Sequence, residues 1–279
     1  MAGWQSYDAV AGAYDRSWHP AFEPVARDLV DLVAPEPEDA VLDVGTGTGV
    51  VAAAAATATA RPGLLVGIDP SLPMLHRARF HVPLAAVAAC SPGLPFPART
   101  FDVVVAGLVV SHFPRYDDAL DDMVRVLRPG GRLGVTAWGA TGDAPVDDVD
   151  QRKLTEIWTS TAARFVDVDS GENNLEAAIP GEAWFADPAR LRAALVGTRL
   201  RSIEVHGRVY RRDLSLQGAL AGYDTSFRGR YLRHTLDDSD WWRFRDEVAA
   251  AASDGLPDPM TRVDQLLIGV GTKGHATRP

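Results

Sequence analysis

The sequence predicts an α/β fold built on a doubly wound, largely parallel sheet, and two observations carry that reading. Short apolar runs alternate with helical patterns through the first half of the chain. The clearest of them, Val41 to Val44, enters a turn of alternate glycines, Gly45-Thr46-Gly47-Thr48-Gly49, which leads straight into the alanine-rich run Val50 to Ala60. A strand, a glycine turn and a helix in that order bring bare backbone to a strand's carboxyl end, where sheets of this class bind ligands.

The elements follow in order. Phe22, Val25, Ala26, Leu29, Val30 and Val33 recur at helical spacing and stop before Pro35-Glu36-Pro37. Leu64 to Ile68 reads as the second strand, with Asp69 at its end. Ser71 is placed to cap the next helix, Pro73 suits its first turn, and Met74, Leu75 and Ala78 give it an apolar face. Val82 to Cys90 is the third strand, and Phe101 to Ala106 has the unbroken apolar character of a strand buried on both faces. Asp117 opens an amphipathic helix through Leu120, Met123, Val124 and Leu127, closed by Arg125, Arg128 and Pro129-Gly130-Gly131. Leu133 to Trp138 is the fifth strand.

Beyond it, Thr141 to Asp150 reads as a linker, Leu154 to Phe165 as an inserted helix and Asp167 to Asn174 as a polar stretch. Asp187-Pro188 begins a helix through Leu195, Leu200 to Arg211 alternates as a strand does, and Leu266 to Val270 is the last strand. Tyr223, Phe227 and Tyr231, then Trp241, Phe244 and Val248, stand at helical spacing. Such stripes pack cores more often than they line substrate sites, and here they suggest a flat or apolar small molecule if they do the latter.

Composition narrows the function. The 279 residues carry a formal charge of −9, which argues against a basic face for nucleic acid. The one cysteine, Cys90, excludes an internal disulfide and a multi-cysteine metal site, and no stretch has the length and apolarity of a membrane span. The reading is therefore a cytoplasmic protein with no structural metal, acting on a small molecule, whose oligomeric state the sequence leaves open.

Glycine spacing alone does not choose the ligand. Gly47-x-Gly49-x-x-Ala52 with Asp69 downstream also satisfies the loose dinucleotide pattern, so NAD stays open at this point. Asp43 separates the alternatives: an acid two residues before the first glycine would repel a pyrophosphate and would suit a ligand carrying an ammonium group.

Val41 to Gly49, Val66-Gly67-Ile68-Asp69-Pro70-Ser71, Leu94-Pro95-Phe96-Pro97 with Phe101-Asp102-Val103-Val104, and Arg128-Pro129-Gly130-Gly131 occur in this order. Together they resemble the class I S-adenosylmethionine-dependent methyltransferases of the small-molecule branch, closely over the first half of the chain and only in architecture beyond Gly139. The resemblance implies a Rossmann-like, seven-stranded doubly wound sheet with a reversed C-terminal hairpin. It implies one domain over residues 1–279, with a core at 36–139, a helical N-terminal segment at 1–35 and helical lid insertions at about 145–186 and 214–256. S-adenosylmethionine is the implied cofactor, and methyl transfer to an oxygen, nitrogen or carbon of a small metabolite is the implied reaction.

Carried over residue by residue, it puts Asp43, Gly45, Thr46, Gly47 and Gly49 at the methionine portion, with Tyr14 reaching its carboxylate. Asp69 and Pro70 go to the ribose, Met74, Cys90 and Ser91 to the adenine, and Gly107 with His112 to the methyl group. Cys90 departs from the family pattern, which commonly has an aspartate there; a thiol is a poor acceptor, so backbone near Ser91 and apolar packing would hold the base. His112 has the reference pKa of a catalytic base, near 6.5, or else hydrogen-bonds locally without titrating. Val109 to Pro114 lacks the Asn/Asp-Pro-Pro-aromatic motif of enzymes that modify planar nitrogens. Three rivals remain: a cofactor-binding cyclase that does not transfer the methyl, a non-enzymatic binding protein, and an NAD(P)-dependent reductase. The last would need Tyr-x-x-x-Lys, and neither Lys153 nor Lys273 has a tyrosine four residues earlier.

Overall fold

Strand β1 (Ala40–Val44) is buried along its whole length and is the centre from which the sheet grows in both directions. The computed structural model describes residues 7–60, 63–139, 148–166 and 181–274. Most of the linker at 141–150 and the whole polar stretch Asp167 to Asn174 lie outside them. Around β1 stand β2 (Leu64–Asp69), β3 (Ala85–Ala88), β4 (Phe101–Ala106), β5 (Leu127–Trp138), β6 (Leu200–Leu214) and β7 (Met260–Lys273). The order is β3-β2-β1-β4-β5-β7-β6; the first five strands are parallel, and β7 runs antiparallel between β5 and β6. This is the seven-stranded sheet with a reversed terminal hairpin that the sequence led us to expect.

The described helices are α1 (Ala11–Val33), α2 (Val50–Thr59), α3 (Leu72–His81), α4 (Tyr116–Val126), α5 (Val149–Ala162), α6 (Glu182–Phe185), α7 (Pro188–Val196), α8 (Leu216–Thr225), α9 (Phe227–Thr235) and α10 (Asp238–Gly255). Period-two alternation assigns them to faces. Val41, Val103 and Val105 pack under Leu29 and Val30 of α1 and Ala52 and Ala55 of α2. Leu42, Val44, Val104 and Ala106 point the other way, against Leu120 and Met123 of α4, Phe185 of α6 and Leu191 of α7. The alanines of α2 are small enough to let it lie close to α1 and the sheet.

A second core lies apart from these two. Trp158 of α5, Leu220 of α8, Leu232 of α9, Phe244 and Val248 of α10 and Met260 of β7 close on one another, with Trp158 and Phe244 meeting edge to face at 4.9 Å. The hairpin reaches it. β7 pairs with β5 only from Leu266 to Thr272, whereas its pairing with β6 continues to Met260, so the far end of the ribbon leaves the sheet. There Thr261 N donates to Asp150 Oδ2 at 2.9 Å and Val263 N to Gln151 Oε1 at 3.3 Å, tying α5 to the ribbon.

Several elements differ in extent from the sequence reading. The first helix begins at Ala11 and runs through Pro20 and Pro24. The third strand is only Ala85–Ala88. The helix before Pro129 ends at Val126, and extended pairing resumes at Leu127 with a register break across Arg128 to Gly131. Its terminal carbonyls are met from afar: Lys273 Nζ donates to Val124 O at 2.6 Å and to Leu127 O at 2.7 Å. The stretch Leu216 to Leu236 breaks at Ser226, whose hydroxyl accepts from Gly229 N at 3.2 Å and caps α9.

Gly134 of β5 marks the closest approach of α1 to the sheet: a Cβ there would stand 2.4 Å from Val33 Cγ1 and 2.8 Å from Leu29 Cδ1. Gly134→Val is expected to lower the unfolding free energy by about 1–3 kcal/mol through overpacking, read as a shift of the urea midpoint at unchanged slope.

Candidate active site

The glycine turn at the end of β1 passes three bodies at once. Gly45, Gly47 and Gly49 all have positive φ, at 68°, 53° and 86°. A Cβ on Gly45 would lie 2.5 Å from Val109 Cγ2, and one on Gly49 2.9 Å from Ala78 Cα, whereas one on Gly47 would meet only Gly45 O at 3.9 Å. Gly47 is thus bare toward a cavity. Gly49 is not part of the cavity wall; it lets the start of α2 sit against α3.

Asp43 is also absent from that wall. It is 1 % exposed, and its Oδ2 accepts from Thr46 Oγ1 at 2.7 Å and from Ala52 N at 3.1 Å, so it braces both arms of the turn from behind. Its Oδ1 is buried and has no hydrogen-bond partner among the described residues. Burial pushes its carboxyl up to about 7, against the two hydrogen bonds that favour the ion.

Asp69, at the tip of β2, accepts from Gly47 N at 3.0 Å through Oδ2 and from Ser71 N at 2.9 Å through Oδ1. Each oxygen keeps a second lone pair for a ligand hydroxyl. Burial raises this carboxyl to about 6, with the Ser71 and Gly47 hydrogen bonds opposing. Ser71 caps α3 by accepting from Met74 N at 3.3 Å, and its own hydroxyl donates to Asp8 Oδ1 at 2.6 Å. Across the sheet, a Cβ on Gly107 would stand 2.7 Å from Val51 Cγ2. Leu108 beyond it has φ 56° and is held by its N–H donating to Thr136 Oγ1 at 2.8 Å.

These elements enclose a cavity of about 480 Å³. Tyr14, Gly45, Thr46, Gly47, Asp69, Pro70, Met74, Cys90, Ser91, Gly107 and His112 all line it; of the residues nominated from sequence, Asp43 and Gly49 do not. Ser91 is buried and its hydroxyl donates to Ala119 O at 3.3 Å; Cys90 stands at the exposed side, its thiol pushed up by burial first and by Asp69 second.

A second cavity, of about 310 Å³, adjoins the first and shares Tyr7, Tyr14, Phe22, Leu108 and His112 with it. Tyr7 meets Tyr14 edge-on at 5.6 Å and His112 at 6.2 Å, and the Arg230 guanidinium lies 3.9 Å from the centre of the Tyr7 ring. Trp18 Nε1 donates to Thr225 Oγ1 at 2.9 Å, pinning α1 to α8. Burial, then the charge of Arg230, lowers His112 to about 4, so its imidazole is neutral at physiological pH. Sequence reasoning did not find Arg230 or Glu182 in this wall. The signal available was the Tyr223/Phe227 stripe, two members of which face the cavity.

Residues 42–135 match the family model described as a methyltransferase domain. The chain is 38 % identical over 136 residues to the nocamycin O-methyltransferase of Saccharothrix syringae, covering 47 % of this chain and 49 % of that protein. It is 33 % identical over 141 residues to the aklanonic acid methyltransferase DauC of Streptomyces sp. strain C5, covering 48 % and 63 %. The matches thus span about half to five-eighths of these relatives' length. The fold is similar to that of an S-adenosylmethionine-dependent methyltransferase from Thermotoga maritima, at TM-score 0.53 and 16 % identity over 97 % of this chain and 99 % of the other.

A buried carboxyl raised to about 7 weakens the ligand-free fold as pH climbs: the unfolded chain loses this proton near 3.8, the folded one only near 7, so stability falls across that interval. Asp43→Asn keeps an acceptor for Thr46 and Ala52. It is expected to melt above the unmodified protein at pH 8 by about 2–8 °C, equivalent to about 1–2 kcal/mol, with the difference vanishing toward pH 4. Scanning calorimetry of the ligand-free proteins across pH checks both sign and interval.

Proposed function

We propose that this chain, which carries a methyltransferase domain over residues 42–135, transfers the methyl group of S-adenosylmethionine to an oxygen, nitrogen or carbon atom of a small molecule. The observation that carries the reading is the pairing of a bare Gly47 with a half-buried Asp69 in one cavity that opens, past Tyr14 and His112, into a second. Bound there, the cofactor supplies a methyl group already activated by its sulfonium.

The chain's own residues do the rest. Asp69 accepts the ribose hydroxyls on its two remaining lone pairs, Met74 lies along the adenine, and backbone at Cys90 and Ser91 completes that end. Gly47 lets the amino acid portion approach the turn that Asp43 braces. Tyr14, Gly107 and His112 border the passage to the second cavity, where the acceptor waits; α8 and α9, with the start of α5, cover it as a lid. Alignment in this enclosed space supplies much of the acceleration.

His112 is a wall and a hydrogen-bonding group in this scheme. Moving a proton from a hydroxyl of pKa near 10 to an imidazole near 4 is uphill by about 8 kcal/mol, which weighs against general-base catalysis by this residue. The named activities of the two bacterial relatives favour methyl transfer over a cyclase that only borrows the cofactor. No described helix is long and apolar enough to cross a membrane, and the single cysteine suits a reducing cytoplasm.

Titration calorimetry with S-adenosylhomocysteine and, separately, NADPH is the direct test: binding of the first and not the second is expected, and the reverse overturns the assignment. Because Asp69 binds hydroxyls in its ionised form and titrates near 6, affinity is expected to be level above pH 7 and to fall about tenfold per unit below pH 6. Asp69→Asn should weaken binding about tenfold or more at pH 8 and lose that dependence.

A further inference from the structure

We infer that Asp15, His19 and His81 form a binding site for a divalent first-row transition metal ion of the zinc type, and that the ion clamps α1 to α3 beside the glycine turn. Asp15 and His19 stand one turn apart on α1 and so share a face, and His81 is the last residue of α3. Close approach of the two helices brings the three together. A Cβ on Gly12 of α1 would stand 2.8 Å from Nη2 of Arg77, which lies one turn before His81 on α3. Sequence spacing offers only the Asp15–His19 pair, because His81 lies 66 positions beyond Asp15.

The donor atoms converge. His81 Nε2 donates to Asp15 Oδ1 at 2.8 Å, His19 Nδ1 is 3.7 Å from the same oxygen, and one ligand atom from each of the three residues lies within 4.8 Å of the others. Atoms bound to one tetrahedral zinc ion at about 2.0–2.2 Å stand roughly 3.3–3.6 Å apart, so small rotations of the exposed His81 side chain seat the ion. The two imidazoles stack with ring centres 4.0 Å apart and planes at 23°. Two imidazolium cations repel at that distance, whereas the neutral ring is the form that ligates a metal. Burial, then the charge of His81, lowers His19, and the opposing charges of Asp15 and Glu23 are the ones that favour a cation beside it.

Two imidazoles and a carboxylate suit zinc, cobalt or nickel over magnesium or calcium, which take oxygen ligands. Three protein ligands leave a coordination position for water, and the site opens to solvent on the side of His81 while His19 is buried. The ion takes the place of the proton that His81 Nε2 shares with Asp15, and the neutral ring keeps one N–H at Nδ1. Bound there, the ion acts on the wall of the larger cavity. Tyr14 adjoins Asp15 in the chain and lines that cavity; His19 Nδ1 is 3.1 Å from Thr48 Oγ1, and Thr48 lines it as well. The clamp therefore restrains the first turns of α1 where they pass over the cavity.

Titration calorimetry of the full chain with zinc chloride, in chelator-free buffer at pH 7.5, tests the site, and cobalt(II) chloride supplies a visible absorption band as a second readout. One tightly held zinc ion per chain is expected. Zinc at about a hundred times its dissociation constant should raise the melting temperature by about 4–8 °C. His81→Gln, which keeps a hydrogen-bond partner for Asp15, should weaken zinc binding about a hundredfold or more and remove the cobalt band. Should that variant not fold, Asp15→Asn is expected to have the same effect. Hydrogen exchange reads the clamp: zinc should slow the amides of residues 11–19 severalfold in the unmodified protein and leave them unchanged in the variant. Zinc binding that is absent from the unmodified protein, or equally strong in every folded variant, overturns the site. Zinc binding with exchange in α1 unchanged overturns the clamp.

Discussion

The tether between Asp43 and the two arms of the glycine turn is the interaction on which the rest of the larger cavity depends. One carboxylate oxygen holds the Thr46 hydroxyl and the Ala52 amide, and so fixes where the strand ends and where α2 begins. With that distance set, the chain has room for hydrogen alone at Gly45, against Val109, and at Gly49, against Ala78. A side chain at either position would add a left-handed backbone cost of about 1–2 kcal/mol to a steric overlap. Gly47 is held bare by its conformation, with φ 53°, and by its amide being bound to Asp69. The acid of β1 thus shapes the loop from behind, and the acid of β2 holds its Gly47 amide from the front.

Charge is divided between the two chambers in the same economical way. Carboxylates stand behind and beside the larger one, a guanidinium stands at the mouth of the smaller one, and Tyr14 and His112 occupy the boundary between them. Burial raises Asp69 beside the larger chamber and lowers His112 at the boundary. His112, the side chain with the most suggestive chemistry in the sequence, has its pKa lowered by burial and by the charge of Arg230, a residue with no local motif.

How much of this was legible in the sequence follows from which forces are local. The strand Phe101 to Ala106, the Ser71 and Asp187 caps and the glycine turn are written in adjacent residues, and the structure has them where pattern and capping chemistry put them. The part of the larger cavity's lining that stands at strand ends, Gly45, Asp69 and Gly107, was legible for the same reason. What was not legible depends on partners far apart in the chain. Lys273 closes α4 from some 150 positions away, and Asp43 looked like a ligand contact because nothing local reveals that Ala52 claims its oxygen. Gly49 was likewise read as a ligand contact when its reason is Ala78 of α3. The Tyr223 and Phe227 stripe could not be sorted into core or cavity by spacing, because both uses demand the same helical face.

The separate nucleus around Trp158 and Phe244 has a bearing on how such a molecule can change over evolutionary time. It is packed by α5 and α8 to α10 and is joined to the rest of the molecule through the overhanging end of one ribbon and through α1, whose Trp18 donates to Thr225 of α8. Substitutions in bodies that share so few neighbours combine almost independently. The nucleus around Trp158 can drift, be exchanged or be remodelled while the glycine turn and its sheet keep their geometry. The match to the methyltransferase-domain model, residues 42–135, lies wholly outside that nucleus, as such modular inheritance would leave it.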